Sequence, residues 1–432
     1  MTYLQDVWSW QQHLRSGGST SWREWLLTDR TGVAVPAGWS EPGAAQLEVV
    51  RRLALRRLGG PGSEDRPGAF ADLADLVTSR SGPGRGLGQQ PLAWGPEGTG
   101  SGHPGEGDPL SGRFPASTAT SRRHRVGAPP VDPAEVPLEE LVRVGVGALT
   151  ELLLDPGAPP DGDRHSRRRA PAFGRMTGTA PFLLDGAPVT VSAVRQALAA
   201  AGHSKPGAAS GVVLLAEPFD QALAQAWSAR VQHGSPARWA GFVARWSGRL
   251  ELPRSADLPT LARTWADRVG AAQVHVVVAT GGVQEASRVA AEVLGLRTGR
   301  RATPSRQHGT AALPPAGVDV ARRVNAVLGV RVAPPEREAA LRRLVRTLPA
   351  GPARMALTVP GRFQARVLER AERLATAVRE GGYPVHGSPG ALVPGFSGLP
   401  TRPDLQDTLE VVLATCLGLA RRPRSEGAVS GG

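Results

Sequence analysis

At 432 residues the chain has room for about two ordinary domains, each able to bury its own core. Its 54 glycines and 39 prolines exceed what packed domains use, so part of it is expected to lack fixed structure. A net charge of +13 would suit nucleic acid, an acidic polymer or an anionic membrane, yet a single lysine, Lys205, stands among 51 basic residues, a bias that codon composition explains better than phosphate recognition.

Many arginines, as in Leu341 to Arg346, lie at helical spacing beside apolar residues, which is the pattern of a solvated face. Cys416 is the one cysteine, which excludes an internal disulfide. It sits in the apolar run LEVVLATCLGLA with no histidine near it in sequence, and reads as a small core residue. With neither a charged-then-apolar leader nor an apolar run of about eighteen residues, the expected location is the cytoplasm, with no membrane insertion.

In chain order, Leu4, Val7, Trp8 and Leu14 fall near one helical stripe before the breaker Gly17-Gly18. Ser19, Thr20 or Ser21 can cap a second helix in SWREWLL. Further helices are expected over Gly43 to Leu58 and Ala69 to Val77, and the tryptophans read as the core of a small helical domain. The glycines of SGPGRGLG, Ser81 to Gly88, resemble a phosphate loop only in composition, because no strand precedes them and no helix follows. Pro137 opens a helix over Leu138 to Leu154. In DGDRHSRRR, Asp161, Asp163 and His165 have a metal-like spacing, but the adjacent arginines oppose a cation.

From Pro181 onward the pattern changes. A short strand over Phe182 to Leu184, the turn Gly186 to Pro188 and a helix over Val189 to Ala201 are followed by the apolar run Val212 to Ala216. Pro218 and a helix with Phe219, Leu223, Ala226 and Trp227 come next, then a strand over Val274 to Ala279 and the helix GVQEASRVAAEVLGL. Repeated strand–helix units argue for an α/β fold, a parallel sheet with covering helices. His275, inside an apolar strand, reads as a core histidine. The expected division is a helical domain over 1–80, a Gly/Pro-rich disordered linker over 81–136, a helix over 137–155 packed on the N-terminal domain, and a second linker over 156–178. An α/β domain over 179–422 and a disordered tail over 423–432 complete it.

Residues 181–300 and 318–420 resemble a sulfotransferase-like family of high-GC bacteria with a P-loop-type α/β fold. The pieces that carry the likeness are VVLLAEPFDQALAQAW, QHGSPARWAGFVARW, LARTWADRVGAAQVHVVVAT and AAEVLGL. To these are added RRVNAVLG and RMALTVPGRFQARVLERAERLATAVREGGYPVHGSPGALVP, whose long helix bears Glu369, Arg370, Glu372 and Arg373. The resemblance implies that the strand, Gly-Ala-Pro turn and helix hold the 5′-phosphate of the sulfuryl donor 3′-phosphoadenosine 5′-phosphosulfate (PAPS).

The donor loop departs from the family's Gly-Ala-Pro-Lys-Thr-Gly-Thr-Thr pattern, reading GAPVTVSA instead. Val189 replaces the lysine, Val191 the glycine and Ala193 a hydroxyl residue, so Gly186, Thr190 and Ser192 are what remains of the cofactor site. Glu217 stands where an arginine would read the 3′-phosphate. His203 and Lys205, in the turn before the second strand, are the basic pair nearest the loop and candidate anion contacts. No catalytic or metal set is evident.

The expected function is therefore a sulfotransferase-like protein that has lost PAPS binding and serves as a non-catalytic scaffold for a protein partner. Two alternatives stay open: an active sulfotransferase moving a sulfuryl group from PAPS to a carbohydrate or small-molecule hydroxyl, and an arginine-rich binder of nucleic acid or acidic polysaccharide.

Overall fold

The computed structural model describes residues 3–28, 34–37, 39–59, 68–79, 131–155, 183–201, 211–247, 252–280, 282–296, 311–352, 355–396 and 398–421. The glycine-spaced segment 81–88, the first expected linker up to residue 130, the whole second linker 156–178 with its Asp161–His165 cluster, Phe182, His203, Lys205 and the tail from 423 lie outside them, whereas Pro133–Glu135 of the first linker form a short 3-10 turn. The chain divides into two compact units, Met1–Ala148 with Val412–Pro423 and Leu149–Val411 with Arg424–Gly432.

The first unit is helical. Helices α1 (Tyr3–Arg15), α2 (Trp22–Leu26), α3 (Ala44–Leu58) and α4 (Ala69–Thr78) are joined by the first turns of α5 (Leu138–Leu154) and the last turns of α14 (Leu405–Ala420). On α1 the buried stripe is Val7, Trp10 and Leu14, spaced three and four residues apart, whereas Leu4, expected in that stripe, is 45% exposed. The Trp10 ring is fully buried against Trp22, with ring centres 5.0 Å apart, and its Nε1 donates to the Thr20 carbonyl at 3.0 Å. Ser21 caps α2 in a reciprocal box: its hydroxyl accepts from the Glu24 amide at 3.3 Å while the Glu24 carboxylate accepts from the Ser21 amide at 3.0 Å.

The sequence pattern assigned all of α14 to the α/β domain, but from Val412 onward this helix belongs to the first unit. This part of α14 packs against Gly145 on α5. A Cβ there would come within 2.7 Å of Val412 Cγ1, so the bare glycine lets the two helices close, with Cys416 Sγ 3.9 Å from the Gly145 carbonyl.

The second unit carries four parallel strands in the order β1 (Leu183–Gly186), β2 (Val212–Ala216), β3 (Val274–Val278) and β4 (Val385–His386). Sheet and helices together make a mostly helical α/β arrangement. Every residue of β2 is buried because both faces of that strand are covered. Val212, Leu214 and Ala216 point with Val274, Val276 and Val278 to one face, where α9 (Leu258–Val269) supplies Leu261, Ala262 and Trp265 and α13 (Gly361–Glu380) supplies Ala375 and Val378. Val213 and Leu215 point to the other face with Leu184 and Val277, under Val194 and Leu198 of α6 (Pro188–Ala200) and Ala286 and Ala290 of α10 (Gly282–Val293). This period-two division is what a strand's geometry dictates when helices flank both sides.

The remaining helices surround α7 (Phe219–Gln232): α8 (Trp239–Ser247), α11 (Pro315–Arg331) and α12 (Pro334–Thr347). Trp227 of α7 is fully buried beside Trp239 and donates Nε1 to the Ala237 carbonyl at 2.8 Å. Gln232 exchanges two bonds with the Ala311 backbone, at 2.9 and 3.0 Å.

One residue corrects the sequence reading. His275 is a partly exposed histidine, not a core one, with its Nδ1 3.2 Å from Nε2 of His386. Its strand neighbour β4 is two residues long and forms the sheet's edge, so it leaves that ring incompletely covered.

Candidate functional site

The turn from β1 into α6 is held by a close backbone approach. Gly186 ends β1 with φ of 121°, and a Cβ on it would lie 2.2 Å from the Leu215 carbonyl oxygen. Only glycine permits that approach, which brings the turn against β2. The Ala187 amide then donates to the same Leu215 carbonyl at 3.2 Å. Asp185, one residue earlier, fixes the turn from its other side. Its Oδ1 accepts from the Gly186 amide at 2.8 Å and its Oδ2 from Trp265 Nε1 at 2.9 Å.

Helix α6 starts with Ala187 at the N-cap and Pro188 in the first turn, so no side chain of its own caps it. The free amides of a helix N-terminus ordinarily seek an acceptor, and an anion serves well. Here Gln225 of α7 supplies the acceptor. Its Oε1 takes the Val189 amide at 3.1 Å and the Thr190 amide at 3.2 Å, and the residue has no solvent exposure.

The other end of the Gln225 side chain closes a ring. Its Nε2 donates to Thr190 Oγ1 at 2.9 Å and to Glu217 Oε2 at 2.8 Å. The Thr190 hydroxyl, 1% exposed, donates in turn to Glu217 Oε1. Both oxygens of the Glu217 carboxylate are thus engaged by the hydroxyl and amide groups that line the α6 N-terminus. The amides at that terminus are held by Gln225, and Glu217 backs both Gln225 and Thr190 with its carboxylate.

Of the residues expected to remain from a donor site, Gly186 and Thr190 are in this turn, and Ser192 is buried on α6, where its hydroxyl lies 3.5 Å from Gln196 Nε2, the outer limit of a hydrogen bond. Val189, which the resemblance set in the place of a lysine, is 3% exposed, and its amide donates to Gln225. Arg195, one turn further along α6, donates to the Leu184 carbonyl at 3.4 Å. Burial holds its guanidinium below the usual arginine range, and Asp185 offsets part of that effect.

Gln225 was not singled out from the sequence, although a signal existed. Gln221, Gln225, Ser228 and Gln232 recur at helical spacing within an otherwise apolar helix, and the first three are fully buried. The same helix also carries the apolar stripe of Phe219, Leu223 and Trp227, which masks the polar one.

Four arginines of α11, α12 and α13 pair with carboxylates on their own helices. Arg322 and Arg323 hold Asp319, Arg342 holds Glu338, and Arg373 holds Glu369. The Glu369–Arg373 pair of the long helix is more than half exposed on both sides, an ordinary solvated pair. Among the described residues no group of three or more His, Cys, Asp or Glu side chains could hold a metal, and no helix is long and apolar enough to cross a membrane. Compared with protein-family models, curated proteins and solved structures, the chain matches none of them.

Proposed function

We propose that the second unit is a sulfotransferase-like α/β domain whose donor site has been filled from within, and that the chain works in the cytoplasm without catalysis, as a scaffold for a protein partner. The observation that carries this reading is the closed set of hydrogen bonds among Thr190, Glu217 and Gln225. The parallel pairing of β1 with β2, which sets the Gly-Ala-Pro turn beside the end of β2, supports it as well.

The argument is one of competition. For a donor phosphate to use the α6 amides, Gln225 must release them, and the incoming dianion must approach the Glu217 carboxylate. Two unit charges about 4 Å apart repel by about 4 kcal/mol at an intermediate dielectric, and a dianion doubles that figure. Micromolar affinity corresponds to only about 8 kcal/mol in all. The repulsion is of the same size as the whole binding free energy, and the sequence GAPVTVS brings no cation into the loop to offset it.

The test is calorimetric titration of the full chain with 3′,5′-adenosine bisphosphate, the product of the donor. The proposal expects no saturable heat. Saturable binding in the micromolar range would restore the sulfotransferase reading.

A further inference from the structure

The second unit places two imidazoles side by side on neighbouring strands, away from the β1–α6 turn. His275 Nδ1 and His386 Nε2 are 3.2 Å apart, and the ring centres are 5.5 Å apart with the planes 30° from parallel. The backbone fixes this juxtaposition. In the β3–β4 ladder Val276 pairs with Val385 and Val277 with His386, and the Val276 amide donates to the Pro384 carbonyl at 2.9 Å. Tyr383 and Val385 pack against the core under the sheet, anchoring the short strand on both sides of the register. Both rings are partly exposed, which leaves a path from solvent.

We infer that His275 and His386 form a binding site for one divalent transition-metal ion of the zinc, nickel or copper class. The geometry is the reason. Imidazole nitrogens bind these ions at about 2.0–2.1 Å, so two of them on one ion stand about 3.4 Å apart at a tetrahedral angle and about 2.9 Å apart at a right angle. The observed 3.2 Å lies between these limits, while ring centres 5.5 Å apart mean that the rings meet end to end, so an ion enters as each ring turns to bring its lone pair off the line between the two nitrogens. Ligands held by strands rather than loops keep such spacing well.

The proton accounting is simple. In the absence of metal the facing nitrogens share one N–H, donated by one ring to the other. When an ion enters, the donating imidazole changes tautomer and carries its proton on the nitrogen that faces away. Both lone pairs then point at the metal, and no net proton is released. No third His, Cys, Asp or Glu completes a protein cluster among the described residues, so water fills the other positions of the shell. That composition suits moderate affinity and an ion open to exchange, and it excludes the closed tetrahedral shell of a structural zinc site. Bound metal would tie the two-residue β4 to β3.

The experiment is calorimetric titration of the full chain, made without a polyhistidine tag, with zinc chloride and with nickel chloride at about pH 7.5, where imidazole is neutral. One ion per chain with a micromolar dissociation constant is expected. His275→Gln and His386→Gln should each weaken binding at least about tenfold, since even residues that only support a ligand cost that much, while His233→Gln should leave it unchanged. Copper(II) bound to the unaltered chain provides a readout that needs no variant, because its electron paramagnetic resonance spectrum should show coupling to two imidazole nitrogens. Absence of saturable binding, binding undiminished in the two variants, or coupling to fewer than two imidazoles would overturn the inference.

Discussion

The Thr190 hydroxyl donates to the Glu217 carboxylate across 27 residues of sequence, joining the first turn of α6 to the end of β2. Gln225 spans the same two residues from α7, so three segments of the second unit meet in one small polar cluster beneath the sheet's carboxyl edge. A parallel strand–helix turn with its amides directed outward is a place where ligands bind. Here those amides are spent on side chains of the protein itself.

Gln225→Leu should be strongly destabilising. It removes the acceptor of two buried amides and the donor to Glu217, and each buried polar group left unpaired costs about 1–3 kcal/mol. The second unit is expected to lose about 3–5 kcal/mol in urea denaturation. Thr190→Val, which keeps the shape and loses the hydroxyl, should cost about 1–2 kcal/mol. Because the residues share partners, the double variant should lose less than the sum of the two. Strict additivity would mean that they do not form one cluster.

Gly186→Ala tests the turn itself. The new methyl would meet the Leu215 carbonyl at 2.2 Å from a backbone with φ of 121°, so strain and collision act together. A loss of about 3 kcal/mol or more is expected, read as a lowered urea midpoint or a failure to accumulate folded protein. By contrast, Gly241→Ala on α8, where nothing lies within 4 Å of the added atom, should be neutral or slightly stabilising.

The first unit should weaken in mild acid through His13. Its ring stacks on Trp25 with centres 4.8 Å apart, and Nε2 lies 3.0 Å from Thr20 Oγ1. A Cβ on Gly18 would stand 2.2 Å from the ring, a measure of how closely the backbone covers it. Burial pushes the imidazole below its ordinary value of 6.5. A histidine with a depressed folded pKa binds more protons when unfolded. Its contribution is therefore fully present above about pH 6.5 and is lost as the pH falls through the folded value. Urea midpoints of the first unit at about pH 7.5 and pH 5.5 should differ, and His13→Gln should reduce that difference.

Cys416 should be silent toward thiol reagents in the native chain. Its side chain is 1% exposed and burial pushes the thiol up to about 12, so almost no thiolate exists near neutrality. Reaction with a disulfide reagent at about pH 8 should follow the denaturant unfolding curve. Rapid native reaction would contradict the packing of α14 on Gly145.

Much of this arrangement is legible in the sequence because it rests on local pattern. The apolar run Val212 to Ala216 bounded by Pro218 reads as a buried strand, and the spacing of Val194 and Leu198 reads as the inner face of a helix. That Val189 and Glu217 bring no positive charge to the β1–α6 turn or to the end of β2 is likewise visible without coordinates. What was not legible depends on distant partners. A strand of two residues, β4, carries no periodicity, so the meeting of His275 with His386 across 111 residues has no sequence signature. The same holds for Gln225, whose meaning comes from the amides it reaches on α6, and for the close packing of α14 on Gly145 of α5.

The central claim, that the α6 N-terminal amides are taken by the protein's own Gln225, which Glu217 holds in place, is tested most directly by following the backbone amide resonances of Val189 and Thr190 while 3′,5′-adenosine bisphosphate is added. The account predicts that both signals stay in place and remain protected from hydrogen exchange throughout the titration. Saturable displacement of both signals at micromolar nucleotide would contradict it, since the amides could then be claimed by an external phosphate.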